Sequence, residues 1–438
     1  MRWSRRSRLR PLTGISKSIG RYRWLICGLL FAATAINYVD RQIIGVLKPT
    51  LQHEFGWSEF AFADIVFWFQ CAYALGYLAF GRFIDRFGAR FGYAACMVLW
   101  TAAHIAHACV TSVGGFIAVR FALGLGESGN FPAGLKAIAE WFPQRERALA
   151  TGIFTAGSNI GAIVTPLIVP GITLALGWRA AFVITGSFSL LWLVVWLKVY
   201  RRPELQPHVS TAELAYINSD PPAVVVRLPW HRLLRLRETW AYAAARFLID
   251  PIWWMFLFWL PDFFAKRYSL DLKSFGPPLV VVYTVSDIGS IAGGWWSSRL
   301  IRRGSSVNRA RKMTMLLASL LVLPVMFAMY ADNLWLAVAM IGAATAGHQA
   351  FSVNLYTFPS DVFPKQAVAS VVGIGGTAGA IGGMLMSKYA GWILDAVGSY
   401  TPIFVVAGTV YLAALGTIHI LSPRMAAVVV PEQGVRSE

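Results

Sequence analysis

"WFPQRERALATGIFTAGSNIGA" (residues 141–162) and "VFPKQAVASVVGIGGTAGAIGG" (residues 362–383) are two copies of one pattern. Each has Phe-Pro, then a glycine nine residues after the proline: Pro143 with Gly152, and Pro364 with Gly373. Each continues into glycines at close helical spacing, Gly157 and Gly161 in the first copy and Gly375, Gly379 and Gly383 in the second. Small residues at that spacing let helices approach closely and slide, which predicts two related halves that move against each other. Carried backward, the same offset sets Glu127 against His348, so an ionisable residue occupies a matching place in each half.

The rest of the chain says what kind of helices these are. Of its 438 residues, 57% are hydrophobic and 14% charged, and the mean hydropathy is +0.56. A soluble protein of this size is not so apolar. About 20 residues are needed for a helix to cross ~30 Å of hydrocarbon, and twelve runs approach that length: 24–46, 60–81, 91–111, 115–136, 148–172, 178–199, 240–264, 277–298, 312–330, 334–357, 367–392 and 400–421. Backbone groups in lipid must be satisfied within the segment, so the runs are expected to be helices. The fold class expected is an all-α membrane protein, twelve transmembrane helices in two pseudo-symmetric six-helix bundles.

A net charge of +18 raises the question of nucleic acid, and its distribution answers it. Lys and Arg crowd alternate connections, at 1–23, 82–90, 145–147, 198–238 and 299–312, while the intervening loops hold few, mainly Lys48, Arg179, Lys266, Arg267 and Lys273. This positive-inside pattern places both termini in the cytoplasm with an even helix count, and it accounts for the charge without a nucleic-acid partner. The paired arginines of the N-terminal "SRRSRLR" precede an apolar run too long for a signal peptide, which reads as a retained first helix. Cys27, Cys71, Cys96 and Cys109 lie in apolar segments without metal or disulfide spacing, so neither a metal nor a disulfide is expected.

The organisation that follows is a basic N-terminal tail (1–23), a six-helix bundle (24–200), a connector (201–238), a second six-helix bundle (239–421) and a C-terminal tail (422–438). In the connector, Ser210 and Glu213 have capping-box spacing for a short helix, and "LPWHRLLRLRETW" (228–240) is a basic amphipathic lead-in suited to the membrane surface.

"GRFIDRFGAR" (81–90) supplies Gly81, Asp85, Arg86, Gly88 and Arg90 between two spans, and "GWWSSRLIRR" (294–303) is a weaker copy with Ser298-Arg299 in place of Asp-Arg. The first is either a charged latch at the inner helix ends or an ordinary basic loop. With twelve spans split six and six, the chain resembles the major facilitator superfamily. "INYVDRQ", "LGLGESGNFPAGLKAIAEWFPQRERALATGIFTAGSNIGAIVTP", "DPIWWMFLFWLPDFF" and "GHQAFSVNLYTFPSDVFP" look like its anion:cation symporter branch, most of all the bacterial hexuronate transporters, over about residues 22–421. That resemblance implies an inner-membrane symporter taking up glucuronate or galacturonate with protons and needing no cofactor, with a galactonate-type aldonate or an aromatic acid as alternative cargo. A monomer is expected, its partners being a small sugar acid, protons and the lipid bilayer. A membrane nutrient sensor on the same fold is the other reading, disfavoured by the lack of a long added cytoplasmic domain.

Charges at membrane depth are costly and usually face a cavity. The embedded set is Asp40, Arg41, Arg120, Glu127, Arg246, Asp250, Asp287 and His348, with Lys136 and Lys388 nearer helix ends. Asp40 and Arg41 point about 100° apart on their helix and cannot pair well with each other. Arg120 and Glu127, two turns apart, share one face. Either Asp40 or Glu127 carries protons while Arg41 and Arg120 grip a carboxylate, or the four form a fixed lattice of Asp40–Arg120 and Glu127–Arg41 pairs. The family resembled assigns proton coupling to the two carboxylates, and the anion and the salt bridge to the two arginines. A sugar also needs neutral hydrogen-bond groups and a flat apolar wall, for which Tyr73, Ser158, Asn159, His348, Gln349, Ser352, Asn354 and Trp254 are candidates. Asp250-Pro251 is read as a bend, and His104, His107 and Asp287 as satisfied core residues. No motif of enzymatic catalysis occurs in a fitting context.

Overall fold

The computed structural model describes residues 20–219, 230–274, 276–426 and 428. The N-terminal tail as far as residue 19, the first residues of the amphipathic lead-in and most of the C-terminal tail lie outside these residues. Helices run as α1 (Tyr22–Phe55), α2 (Glu59–Ala106), α3 (Val113–Ser128), α4 (Asn130–Trp141), α5 (Gln144–Leu176), α6 (Trp178–Val199), α7 (Thr211–Ile217), α8 (Trp230–Leu233), α9 (Arg237–Tyr268), α10 (Gly276–Arg302), α11 (Val307–Val322), α12 (Leu334–Val362), α13 (Lys365–Val397) and α14 (Thr401–Leu421). α2 is two limbs meeting at Gly88, whose φ of 80° and ψ of 163° break the helix and are open to a residue without Cβ. α3 and α4 form one span divided at Gly129, and a 3₁₀ stretch, Leu323–Tyr330, extends α11. Counted this way the twelve expected spans are all helical. Nine helices among the described residues are long and apolar enough to cross a membrane. The other three expected spans are the second limb of α2, the divided α3–α4 and the Gly- and Ser-rich α10.

The repeat is visible in the packing. Pro143 and Pro364 stand at the same place, immediately before α5 and α13, with φ of −64° and −61°. α5 lies along α1 and α13 along α9. A Cβ on Gly157 or Gly161 would strike the backbone carbonyls of Phe31 and Ala35 on α1, and one on Gly379 would strike Asp250 on α9. Pro251, inside α9, has no N–H for the Phe247 carbonyl, and the bare Gly382 of α13 packs against that carbonyl. Gly152 and Gly373, the glycines that define the repeat, meet nothing within 4 Å, so close packing begins further along each helix. The halves meet where α1 crosses α9, α2 runs along α13, and α5 touches α10.

The connector caps as expected. Ser210 Oγ accepts from the Glu213 N–H at 3.1 Å. The Glu213 carboxylate, instead of reaching back to Ser210, takes the backbone N–H and Nη1 of Arg23, each at 3.2 Å. Arg23 Nε also donates to Glu146 at 2.8 Å, so the start of α1, the start of α5 and the connector are fastened together. This end of the bundle is its terminal side, and the opposite end its far side.

Candidate functional site

α1 runs on through Pro49 to Gly56, a left-handed C-cap, well beyond the expected 24–46. Its middle carries Asn37, Asp40 and Arg41, and the helical angle between the last two sends them to different partners. Arg41 faces the junction of the halves: Nε donates to Glu127 Oε2 at 2.9 Å and Nη2 to Asn37 Oδ1 at 2.9 Å. Its guanidinium lies 4.7 Å from the Tyr38 ring, 4.8 Å from Tyr73 and 5.1 Å from Trp254, the last on α9 in the other half. Such contacts with a desolvated guanidinium are worth about 1–2 kcal/mol each. Tyr73 and Trp254, offered by the sequence as sugar-binding candidates, are thus placed beside Arg41.

Arg120 and Glu127 both sit on α3, Glu127 near its last turn beside the break at Gly129. Arg120 is 1% exposed, and its Nη2 donates to the Arg41 carbonyl at 3.0 Å. Among the described residues its Nε and Nη1 have no hydrogen-bond partner, and the guanidinium lies over Phe69 at 5.0 Å and Phe258 at 5.9 Å, rings from opposite halves. A buried guanidinium with two donors unmet is expensive. The lattice is thus half present: Glu127 pairs with Arg41, but Asp40 takes partners other than Arg120.

Asp40 is fully buried on the back of α1, facing the second limb of α2 and α6. Ser189 Oγ donates to its Oδ2 at 3.1 Å, and His104 Nε2 stands 3.2 Å from its Oδ1. His104 and His107, read as satisfied core residues, each leave one ring nitrogen unpartnered among the described residues: Nδ1 of His104 and Nε2 of His107. A lone apolar-face histidine offers no sequence signal for such a contact.

The remaining candidates separate into groups. His348 lies on α12, its Nδ1 2.6 Å from the Tyr411 hydroxyl, its Nε2 3.3 Å from Ser352 Oγ, and its ring stacked on Trp253 at 5.4 Å. Gln349, next on α12, is half-buried. Trp253 also meets Tyr283, whose hydroxyl accepts from Gln42 of α1 at 2.9 Å. Ser158 bonds its own helix at Thr155 O, 2.7 Å away, while Asn159 lies beside Asp287 of the other half, a neighbour the sequence did not reveal. Asn354 is drawn away from Arg41: it donates to Gly293 O and Ala350 O and accepts from Arg311 Nη1 at 3.3 Å.

A second arginine–carboxylate pair sits in the other half. Arg246 Nε donates to Asp250 Oδ2 at 2.6 Å, its Nη1 to the Tyr242 hydroxyl at 3.1 Å, and its guanidinium lies 4.6 Å from the Tyr356 ring. The i, i+4 spacing of Arg246 and Asp250 was legible, but the bend assigned to Asp250-Pro251 hid it.

The far side is sealed by a buried ion-pair cluster. Lys48, counted in the sequence as a loop lysine, is fully buried and bridges Glu59 at 2.6 Å and Asp262 at 2.7 Å. Lys266 contacts both carboxylates as well, Asp262 at 3.1 Å, and the Tyr400 hydroxyl donates to Asp262. Asp395 of α13 caps the start of α2 by accepting from the N–H groups of Glu59 and Phe60 at 3.0 and 2.8 Å. Lys388 pairs with Asp64. On the terminal side, the 81–90 motif works within one half. Lys136 Nζ holds Asp85 at 3.0 Å, Arg90 Nη2 donates to Leu197 O at 2.5 Å, Arg86 lies over the Phe87 ring, and a Cβ on Gly81 would meet open space. Asp85 is exposed, so this pair contributes about 0–1 kcal/mol.

Comparison with known proteins accords with this architecture. Residues 30–387 match the Major Facilitator Superfamily. The hexuronate transporter of Escherichia coli (strain K12) is 32% identical over 398 residues, covering 89% of this chain and 91% of that one. The galacturonate transporter of Dickeya chrysanthemi is 34% identical over 308 residues, covering 69% and 89%. Among solved structures, a bacterial homolog of the human lysosomal transporter Spinster, in an inward-facing and occupied conformation, superposes with a TM-score of 0.71 at 16% identity, covering 92% of this chain and 96% of that one. The protein described here is a multi-pass membrane transporter, not an enzyme, and it belongs to the major facilitator superfamily.

Proposed function

We propose that this chain is a proton-coupled symporter importing a hexuronate, galacturonate or glucuronate, by alternating access between two bundles, 24–200 and 239–421, joined by the 201–238 connector. The observation that carries the reading is Arg120, buried at the junction of the halves with two guanidinium donors unmet beside the Arg41–Glu127 pair. A sugar carboxylate can accept from Nε or Nη1 of Arg120 together with the second Nη2 hydrogen on the same edge of the guanidinium, and the Tyr73 and Trp254 rings offer a wall for the pyranose. The relatives named for hexuronate and galacturonate at 32% and 34% identity support this cargo.

Charge counting links the proton to the anion. Arg41, Arg120, Asp40 and Glu127 sum to zero when all are ionised. A proton on Asp40 leaves one positive charge in excess beside Arg120, and a monoanion restores neutrality. In a low-dielectric site the two events favour each other. Arg23 and the connector lie on the side that the positive-inside pattern makes cytoplasmic, with both termini, in an inner membrane. With the far side held shut by the Lys48 cluster, we read the arrangement as closed to the outside, in a chain that works as a monomer with its 81–90 motif as the cytoplasmic gate. Ser158, Asn159, His348, Gln349, Ser352 and Asn354 are the polar residues available to hydroxyls along the path.

The test is uptake in proteoliposomes. Radiolabelled galacturonate uptake should be competed by glucuronate and not by galactose or glucose, and equal competition by the neutral sugars would remove the anion reading. Asp40→Asn should lose accumulation driven by a pH gradient while retaining galacturonate exchange, which needs reorientation of loaded carrier but no proton release. Full pH-driven accumulation by that variant would return Asp40 to a structural role.

A further inference from the structure

Asp40 has a supply problem. It is fully buried, it points away from the Arg41 face, and the side chains beside it include Ser189, His104 and Trp100. If it takes a proton in each cycle, that proton must come through the N-terminal half. We propose that His104 and His107 form the proton route from the far side to Asp40, with Thr185 setting the tautomer of His104. This rests on the coupling reading above and specifies how it is carried out.

The hydrogen bonds fix which ring nitrogens are free. Thr185 Oγ lies 2.8 Å from the Ala181 carbonyl, to which its hydroxyl donates, so it accepts from His104 Nε2–H at 2.8 Å. His104 Nδ1 is then a bare lone pair, buried and without a partner among the described residues. His107 Nδ1 donates to the Ala103 carbonyl at 2.8 Å, which leaves its Nε2 as a second bare, buried, unpartnered lone pair. A buried acceptor left unmet costs about 1–3 kcal/mol, and here two occur on rings whose centroids are 6.0 Å apart. Neither is needed for packing: His107 stacks on Phe182 at 4.9 Å as a phenylalanine would.

Position gives the route its direction. The second limb of α2 runs from Gly88 on the terminal side to Ala106, and the 3₁₀ turn His107–Cys109 leads into exposed residues 111–112 on the far side. His107 is therefore the outer ring and His104 the inner. The groups facing the two rings are Asp40 from α1, Phe116 and Arg120 from α3, and Phe182 and Thr185 from α6. Arg120 acts electrostatically on both rings, and Glu127 on Asp40. An anion that neutralises Arg120 makes a positive charge on either ring easier to hold, which ties proton delivery to substrate occupancy.

The step balances with one proton in and one out. His107 Nε2 takes a proton from far-side water and releases it from the same atom to His104 Nδ1. The imidazolium so formed gives its Nε2 proton to Asp40 Oδ1, 3.2 Å away. Neutral His104 is left with the proton on Nδ1, and the Thr185 hydroxyl turns to donate to the bared Nε2. His104 thus uses its two nitrogens on opposite sides, which a glutamine cannot do.

The experiment uses the full chain in proteoliposomes with galacturonate as probe, measuring pH-driven accumulation and counterflow at equal pH in the same preparation. His104→Gln should lower accumulation by about 10-fold or more, the low end of what a positioned proton carrier contributes, and flatten its dependence on external pH, while counterflow persists. Thr185→Val keeps the imidazole but removes the group that sets its tautomer, and should give the same split, so the idea stays testable where His104→Gln does not assemble. Accumulation at the wild-type level with an unchanged pH profile in either variant would overturn the route. Equal loss of accumulation and counterflow in both variants, with protein still monodisperse, would also overturn it, since that is the mark of a packing role. Absence of pH-driven accumulation in the wild type, with counterflow intact, would instead defeat the coupling reading and the route with it.

Discussion

Replacing Lys48 by methionine should open the far side. Lys48 is fully buried, and its ammonium bridges Glu59 of the first half and Asp262 of the second at 2.6 and 2.7 Å. Removing one member of a buried ion pair costs ~3–5 kcal/mol, because the partner charge is stranded. Lys266 touches both stranded carboxylates and is half exposed, so part of that cost is recovered and roughly 1–3 kcal/mol is expected for the sealed state. When the far side opens, these groups become hydrated and the lysine matters little, so the loss falls on the sealed state alone. At 1.4 kcal/mol per tenfold, the ratio of sealed to open molecules should fall about 5- to 150-fold. Spin labels on the far-side ends of α2 and α13, read by pulsed electron resonance, report the separation directly. Cys109 is exposed and must be replaced first, whereas Cys27 and Cys96 are buried. The long-distance population should rise in Lys48→Met and fall back in Lys48→Arg. A distance distribution unchanged from wild type would show that the cluster does not hold the far side shut.

Arg41→Lys keeps the charge but loses the Nε–Glu127 and Nη2–Asn37 geometry and the planar stack among three rings, so the KM for galacturonate should rise by an amount worth ~1–3 kcal/mol; an unchanged KM would remove Arg41 from substrate binding. A Cβ on Gly289 of α10 would strike the Ala346 backbone of α12. Gly289→Leu should therefore cost at least about 1–3 kcal/mol, seen as a lower melting temperature of the detergent-solubilised protein, and a wild-type value would show that α10 and α12 can part freely. Arg246→Gln strands the buried Asp250 carboxylate and should destabilise by ~3–5 kcal/mol. The double variant Arg246→Gln/Asp250→Asn should recover most of that stability if the pair is structural, and its uptake of galacturonate then reports whether the pair also meets substrate.

The sequence by itself determined what is local or periodic. Apolar runs identify spans because lipid leaves a backbone no choice but helix, and the Phe-Pro-glycine repeat identifies two halves because Pro143 and Pro364 each start a helix whose glycines pack on a neighbour. The angle between Asp40 and Arg41 is likewise a property of one helix, so their divergence was readable before any fold was known. Which partner each would find was not. Asp40 meets His104 and Ser189 because of how α1 is rotated against the second limb of α2 and α6, and Arg120 is left with unmet donors because Glu127, on its own helix, is taken by Arg41. Lys48 passes for a loop residue in a hydropathy scan, and only the crossing of α1 with α9 buries it between carboxylates of both halves. Helix rotation and crossing are fixed by many close contacts summed over the whole bundle, none of which is encoded in the neighbourhood of the charge it positions.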